Sequence, residues 1–270
     1  MLKALVLFRN LSALQPNVKG VGNIIGGKNV TRGDFPWVAV LSTPSDEYIC
    51  GGTLVSSRKV LTAAHCIHDK EGKNSKLAGE IIVQLGTYDL GKKVEVGRAF
   101  HAVQSINVHP DWNTLTESFD ADIAVLVLER EAAFSELIQP ICLVQDTSAI
   151  AGVVVGYGKS EDETKIHEKI PKMIETPIHS NKDCFMDNQA LAALSSGRTF
   201  CGGLGRGVGV CNGDSGSGLF VTDGTTYYLR GVVSSSLKRI SYECNVDTYS
   251  IFTDVIKYID WIYRASITRF

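Results

Sequence analysis

The stretch Cys211-Asn212-Gly213-Asp214-Ser215-Gly216-Ser217-Gly218-Leu219 decides the reading of this chain. A serine among glycines is ordinary turn chemistry when it stands alone. A hydroxyl is also a poor nucleophile at neutral pH, so a reactive serine needs a base and a group that orients the base. Two stretches upstream can supply them. Leu61-Thr62-Ala63-Ala64-His65-Cys66 carries one histidine among small apolar residues, which alone reads as structural. Phe119-Asp120-Ala121-Asp122-Ile123-Ala124-Val125-Leu126 carries a carboxylate at the head of an apolar run, which alone reads as a turn residue. In the order His65, Asp122, Ser215 the three acquire a joint meaning. The imidazole takes the hydroxyl proton during attack, and a buried carboxylate on its far side selects the nitrogen that faces the nucleophile. The glycines beside Ser215 let Gly213 N–H and Ser215 N–H approach a developing oxyanion.

Outward from these stretches the pattern is that of strands. Trp37–Leu41, Ile81–Leu85, Ile123–Leu128, Gly152–Gly156 and Tyr227–Val233 are short runs of Val, Ile, Leu and Tyr between turn signals, in a chain with 26 glycines. No regular series of amphipathic helices separates them, which argues against a parallel α/β fold. An all-β, closed or sandwiched antiparallel architecture is expected, because closure removes exposed edges. One helix is expected at the end. Thr253 or Asp254 caps it, and Val255, Tyr258, Ile259 and Ile262 form one apolar stripe.

The 270 residues are 44% hydrophobic with a formal net charge of −2, so nothing points to nucleic acid or an anionic membrane as partner. No apolar run reaches the ~18 residues of a membrane span. Met1–Phe8 begins like a signal peptide, but Arg9 and Asn10 interrupt it. It reads equally as a leader or as the cut edge of a longer protein. The seven cysteines are scattered rather than grouped as CxxC pairs, which favours an oxidising compartment over a zinc site. Asn10-Leu11-Ser12 and Asn29-Val30-Thr31 fit the N-glycosylation rule.

The chain resembles the trypsin/chymotrypsin-like serine peptidases over residues 24–265. The resemblance is carried by Ile24-Ile25-Gly26-Gly27, Phe35-Pro36-Trp37, Cys50-Gly51-Gly52-Thr53-Leu54, Thr62-Ala63-Ala64-His65-Cys66, Asp122-Ile123-Ala124-Val125-Leu126, Gly213-Asp214-Ser215-Gly216 and Gly231-Val232-Val233-Ser234. It implies two antiparallel six-stranded β-barrels with the catalytic residues His65, Asp122 and Ser215 in the cleft between them. It places a leader, propeptide or truncated upstream region at 1–23 and the peptidase domain at 24–253, with the barrel boundary near 130–140. The C-terminal helix of the same domain then covers 254–270. Asp122 rather than Asp120 matches the catalytic aspartate, since only Asp122 directly precedes Ile-Ala-Val-Leu. Ser234 is implied to support the Asp122 carboxylate. The same likeness pairs Cys50 with Cys66, Cys184 with Cys201 and Cys211 with Cys244. It leaves Cys142 either a free thiol or, the reading favoured, tied to a segment missing from this chain. Activation is implied to follow a cut before Ile24, whose new ammonium pairs with Asp214. Asn23 stands where trypsin-like activators require Arg or Lys, so a non-tryptic peptidase or the enzyme itself is expected to make the cut.

The implied specificity pocket has Gly209 at its floor, Ser250 beside it, and Ser234 and Ser236 on its wall. None is charged, so preference for uncharged residues over Arg or Lys is expected. No metal or cofactor is expected. Thr87 stands where relatives place a calcium-binding glutamate, and Tyr249 alone is weak support for a sodium site. Ser217-Gly218, Phe252-Thr253-Asp254-Val255 and Tyr258-Ile259-Asp260-Trp261 resemble arthropod cascade proteases of the gastrulation-defective and modular kinds. That likeness implies a secreted zymogen with a protein substrate such as a downstream zymogen, and serpin-type inhibitors as further partners. A non-catalytic binding homologue and a digestive enzyme are the rival readings.

Overall fold

Short apolar runs cannot bury both faces alone, so they pair until the sheet closes on itself. The computed structural model describes residues 27–68, 75–144, 146, 148–158, 168–205, 207–236 and 246–265. Its strands are β1 (Lys28–Asn29), β2 (Val38–Ser42), β3 (Tyr48–Leu54), β4 (Lys59–Thr62), β5 (Ile82–Leu85), β6 (Ala99–Val108) and β7 (Ala124–Leu128). They continue as β8 (Cys142–Leu143), β9 (Ala151–Gly156), β10 (Lys172–His179), β11 (Thr199–Gly202), β12 (Gly218–Thr222), β13 (Tyr227–Ser236) and β14 (Ser250–Asp254). The first barrel closes in the order β2-β3-β4-β7-β6-β5, with β5 back on β2. The second closes in the order β9-β10-β11-β14-β13-β12, with β12 back on β9. Pairing within both rings is antiparallel, as the resemblance implied. Strands β1 and β8 attach to the outside of the second ring, on β10 and β13.

Leu41, Leu54, Leu61, Val83 and Leu85 fill the first barrel, and Val154, Leu219, Val233 and Phe252 the second. Between them, Phe35 and Trp37 from the first barrel pack against Phe220 and Tyr227 of the second. The runs read as strands from sequence all form strands, within one residue at either end except that β13 runs three residues further. Strand β6 escaped that reading because its exposed and covered residues alternate without a continuous apolar run. Strand β10 escaped it because Glu175 and Pro177 interrupt the pattern.

The end of the chain differs from expectation. Asp254 closes β14 rather than capping a helix, and its carboxylate is engaged by the buried Arg230 guanidinium. Val255–Tyr258 then forms a single 3-10 turn, and the α-helix is confined to α3 (Ile259–Arg264) among the described residues. The anticipated stripe is still buried at Val255, Tyr258 and Ile262. Two further short helices, α1 (Asn181–Asp187) and α2 (Ala190–Leu194), lie between β10 and β11.

Candidate active site

Strand register brings the histidine to the aspartate. Strand β4 pairs antiparallel with β7, Thr62 opposite Ala124. Continuing forward from Thr62 and backward from Ala124 leads both chains to one place. There Ala64–Cys66 forms a 3-10 turn, and His65 Nδ1 lies 2.7 Å from Asp122 Oδ2. The His65 backbone N–H donates to Asp122 Oδ1 at 2.8 Å. A disulfide between Cys50 and Cys66 ties this turn to β3.

Asp122 is fully buried, so its charge must be met by donors. Ser234 supplies one, Oγ donating to Asp122 Oδ2 at 2.5 Å. Ser234 falls where the β13–β14 register shifts, between Val233 and Ser235, and such a bulge re-aims one side chain. Thr253 Oγ donates to the Asp122 carbonyl at 2.8 Å. The second barrel therefore grips a residue of the first from two adjacent strands. Asp120, two residues away, turns instead to Arg198.

The Ser215 loop is docked across the same seam. Gly51 N–H of β3 donates to the Ser215 carbonyl at 2.9 Å, and Gly216 N–H to the Val233 carbonyl at 2.9 Å. Gly216 has φ +77°, and a Cβ there would meet Thr62 Oγ at 2.2 Å. Only glycine allows this approach to the strand that leads into His65. Ser215 itself is part-exposed. No hydrogen bond joins its side chain to His65 among the described residues, and such bonds are often long before substrate binds. Neither Gly213 N–H nor Ser215 N–H donates to another described residue. Tyr48 Oη donates to the Gly213 carbonyl at 2.6 Å, fixing that peptide. Burial, and then the Asp214 carboxylate, hold the Tyr48 phenol well above its ordinary range, so it stays a donor.

Asp214 is fully buried and accepts from Cys211 N–H and Gly158 N–H, each at 2.9 Å. Burial pushes its carboxyl up to about 7, against those two hydrogen bonds. It makes no ion pair with a described residue. Ile24, Asn23 and the rest of the segment before residue 27 lie outside the described residues, as does Cys244. Cys211 is disulfide-bonded, Cys184 is bridged to Cys201, and Cys142 is part-exposed and forms no disulfide with a described residue. Gly209 is buried, with Val246 Cγ1 3.4 Å from where its Cβ would stand. Ser250 is buried beside Gly202 and Ser236 in the sheet. Thr87 accepts from Arg98 Nε at 3.1 Å, so a guanidinium lies where a metal-binding carboxylate was absent from the sequence. Tyr249 stacks on His179 at 4.4 Å. Sequence reading missed Tyr48, Gly158, Thr62 and Val246. Each acts through a contact with a residue far away in the chain, which no local motif announces.

Two closed barrels with a buried Asp paired to a part-exposed His and a glycine-flanked serine at their seam define the serine-peptidase class. The family model described as Trypsin matches residues 24–262, and the chain belongs to the trypsin family of serine endopeptidases. It is 33% identical to "Serine protease gd" of Drosophila melanogaster, covering 87% of this chain and 51% of that protein. It is 30% identical to "CLIP domain-containing serine protease B4" of Anopheles gambiae, over 88% of this chain and 69% of that one. It is also 30% identical to "Phenoloxidase-activating enzyme 1" of Spodoptera litura, over 88% and 66%. The chain thus spans about half the length of the first of these relatives, and arthropod proteases are among the family members it resembles.

Proposed function

We propose that this chain hydrolyses peptide bonds through an acyl-enzyme on Ser215. With Nδ1–H donated to Asp122, His65 Nε2 keeps its lone pair and takes the Ser215 Oγ proton as Oγ attacks the carbonyl carbon. Gly213 N–H and Ser215 N–H, both free of described partners, receive the oxyanion. The proton passes from His65 to the departing amine. Water then attacks the acyl carbon while giving a proton to His65, and as the ester bond to Oγ breaks His65 returns that proton to Oγ, releasing the acid and restoring Ser215. The observation that carries the reading is the 2.7 Å His65–Asp122 contact on a carboxylate buried under Ser234. A fluorophosphonate probe tests it: the active chain is labelled at Ser215 and Ser215→Ala is not. Absence of Ser215 labelling in the cut enzyme would leave the binding-homologue reading standing.

The finer assignment is a secreted zymogen acting on a protein substrate, a downstream zymogen, in a proteolytic cascade, with serpin-type inhibitors. The relative named "Phenoloxidase-activating enzyme 1" and the other arthropod relatives support it. No described helix is long and apolar enough to cross a membrane. Activation follows a cut at Asn23-Ile24, and the Ile24 ammonium joins Asp214, whose buried carboxyl needs a positive partner to ionise fully. N-terminal sequencing of active material tests this, and a start anywhere but Ile24 defeats it. Primary specificity is for small or medium uncharged residues, supported by Val246 packing toward Gly209 and by the buried, uncharged Ser250. Dominant cleavage after Arg or Lys in a substrate library contradicts that assignment.

A further inference from the structure

Asp120 is left without a role by the chemistry above, yet it sits in a dense polar cluster at the barrel seam. Its Oδ1 accepts from Arg198 Nε at 3.0 Å and Ser196 Oγ at 2.6 Å, and its Oδ2 is engaged by Arg198 Nη2. Arg198 Nη1 also donates to Asp111 Oδ2 at 2.6 Å. The guanidinium lies 5.4 Å from the centre of the Tyr258 ring. Neighbouring contacts run the same way across the seam. Phe119 N–H donates to the Leu194 carbonyl at 2.9 Å, and Ser118 Oγ to the Ser195 carbonyl at 3.3 Å. Burial would raise the Asp120 carboxyl, but the Arg198 and Ser196 hydrogen bonds outweigh it and hold it below its ordinary value.

Between Asp120 and Asp122 stands Ala121, with φ +55°. A side chain in the left-handed region is strained, and it persists only where its surroundings over-determine it. Here the second barrel holds the strained residue itself and the residue before it. Tyr258 Oη accepts from Ala121 N–H at 3.1 Å, while Arg198 grips Asp120 in a fork of two parallel bonds. Asp122 follows directly, and its carboxylate sets the place of His65.

We propose that Arg198 is a positioning residue for catalysis: by clamping Asp120 it holds the strained Ala121 turn and so aims Asp122 at His65. The proposal rests on the Ser215–His65–Asp122 reading. Arg198 touches none of those three side chains by hydrogen bond or ion pair among the described residues. Its effect must therefore reach the reaction as geometry, which lowers kcat while leaving substrate contacts and KM in place.

The test is steady-state kinetics on the cut, active enzyme, comparing Arg198→Ala, Asp120→Asn and the double variant, with Ser215→Ala as control and thermal melting of each. Small misplacement of a catalytic group is costly, so kcat is expected to fall about tenfold in either single variant with KM within twofold. The double variant is expected to be no worse than the poorer single, since both break one clamp. Arg198→Lys keeps the charge but loses the fork and is expected to recover only part of kcat. Unchanged kcat in Asp120→Asn or Arg198→Ala, or losses that multiply in the double variant, overturns the proposal. So does a fall in melting temperature with kcat preserved. If Arg198→Ala fails to fold, Asp120→Asn decides alone, since Asn keeps the shape and its Ser196 contact. Wild-type enzyme without Ser215-dependent hydrolysis sinks the proposed function and this inference together. Active wild type with unaffected variants sinks this inference only.

Discussion

Replacing Ser234 by Ala removes one donor from a carboxylate that has no solvent around it. Asp122 is 0% exposed and Ser234 3%, and the bond between them is 2.5 Å long. The Asp122 carboxylate keeps the two bonds from His65, at 2.7 and 2.8 Å, and loses its only side-chain donor from the second barrel among the described residues, while Thr253 still holds the Asp122 carbonyl. A hydrogen bond to a buried charge contributes about 1.5–3 kcal/mol. If that whole loss falls on the transition state, where the imidazolium leans hardest on Asp122, kcat/KM drops about 10- to 150-fold. Any share felt before catalysis appears instead as lost stability. The assay is kcat and KM on an uncharged peptide amide, with active sites counted by burst titration and melting followed in parallel. The expected result is a fall in kcat of at least tenfold with full active-site count and KM little changed. A kcat/KM within twofold of wild type at equal active-site count would refute the reasoning that Ser234 supports Asp122 energetically.

Gly158→Ala places a Cβ 2.1 Å from Asp214 Oδ2, and overpacking of this kind costs about 1–3 kcal/mol. It should displace the residue beside Ser215 and cut kcat/KM about tenfold, and wild-type kinetics from this variant would contradict the close packing. For the uncut chain, carried in a Ser215→Ala background, the Asp214 carboxyl is raised from 3.8 to about 7 in the fold. The folded state then binds the extra proton, so stability is fully present below about 4 and is lost as pH rises toward about 7, by up to ~4 kcal/mol. Urea unfolding across that window should show this slope, and Asp214→Asn should flatten it; equal slopes would dismiss burial as the cause. Gly209→Asp adds a carboxylate at a position where Val246 leaves ordinary van der Waals room, 3.4 Å from the new Cβ. The kcat/KM ratio for Arg over Ala substrates should rise about tenfold or more, a counter-charge for the guanidinium being worth at least one decade. No rise would mean that Gly209 does not face the bound side chain.

Much of the architecture was legible because it rests on local rules. Strands such as Ala124–Leu128 and Ala151–Gly156 are apolar runs between turns, and a run too short to be a buried helix pairs as a strand. The alternating β6 and the Pro-bearing β10 were not legible, since each is half covered and depends on neighbours for its burial. The α-helix starts at 259 rather than 254, after a 3-10 turn, and Arg230, 24 residues away, takes the Asp254 carboxylate that a cap would have used. Within the site, the residue types and their order along the chain were visible: a hydroxyl among glycines, a histidine, and a carboxylate before an apolar run.

What the sequence by itself determined is therefore the chemistry on offer at Cys211–Leu219 and its two upstream companions, because nucleophile, base and orienting acid are properties of residue type. Only the tertiary structure decided which side chains meet. The Thr62–Ala124 register brings His65 to Asp122, a bulge aims Ser234 at the same carboxylate, and Gly216 closes against Thr62. It also decided that Asp120 belongs to Arg198, a partner no local motif announced. The physical reason is that hydrogen bonds and desolvation act over a few ångströms of space. Those distances exist only after two barrels have closed and docked.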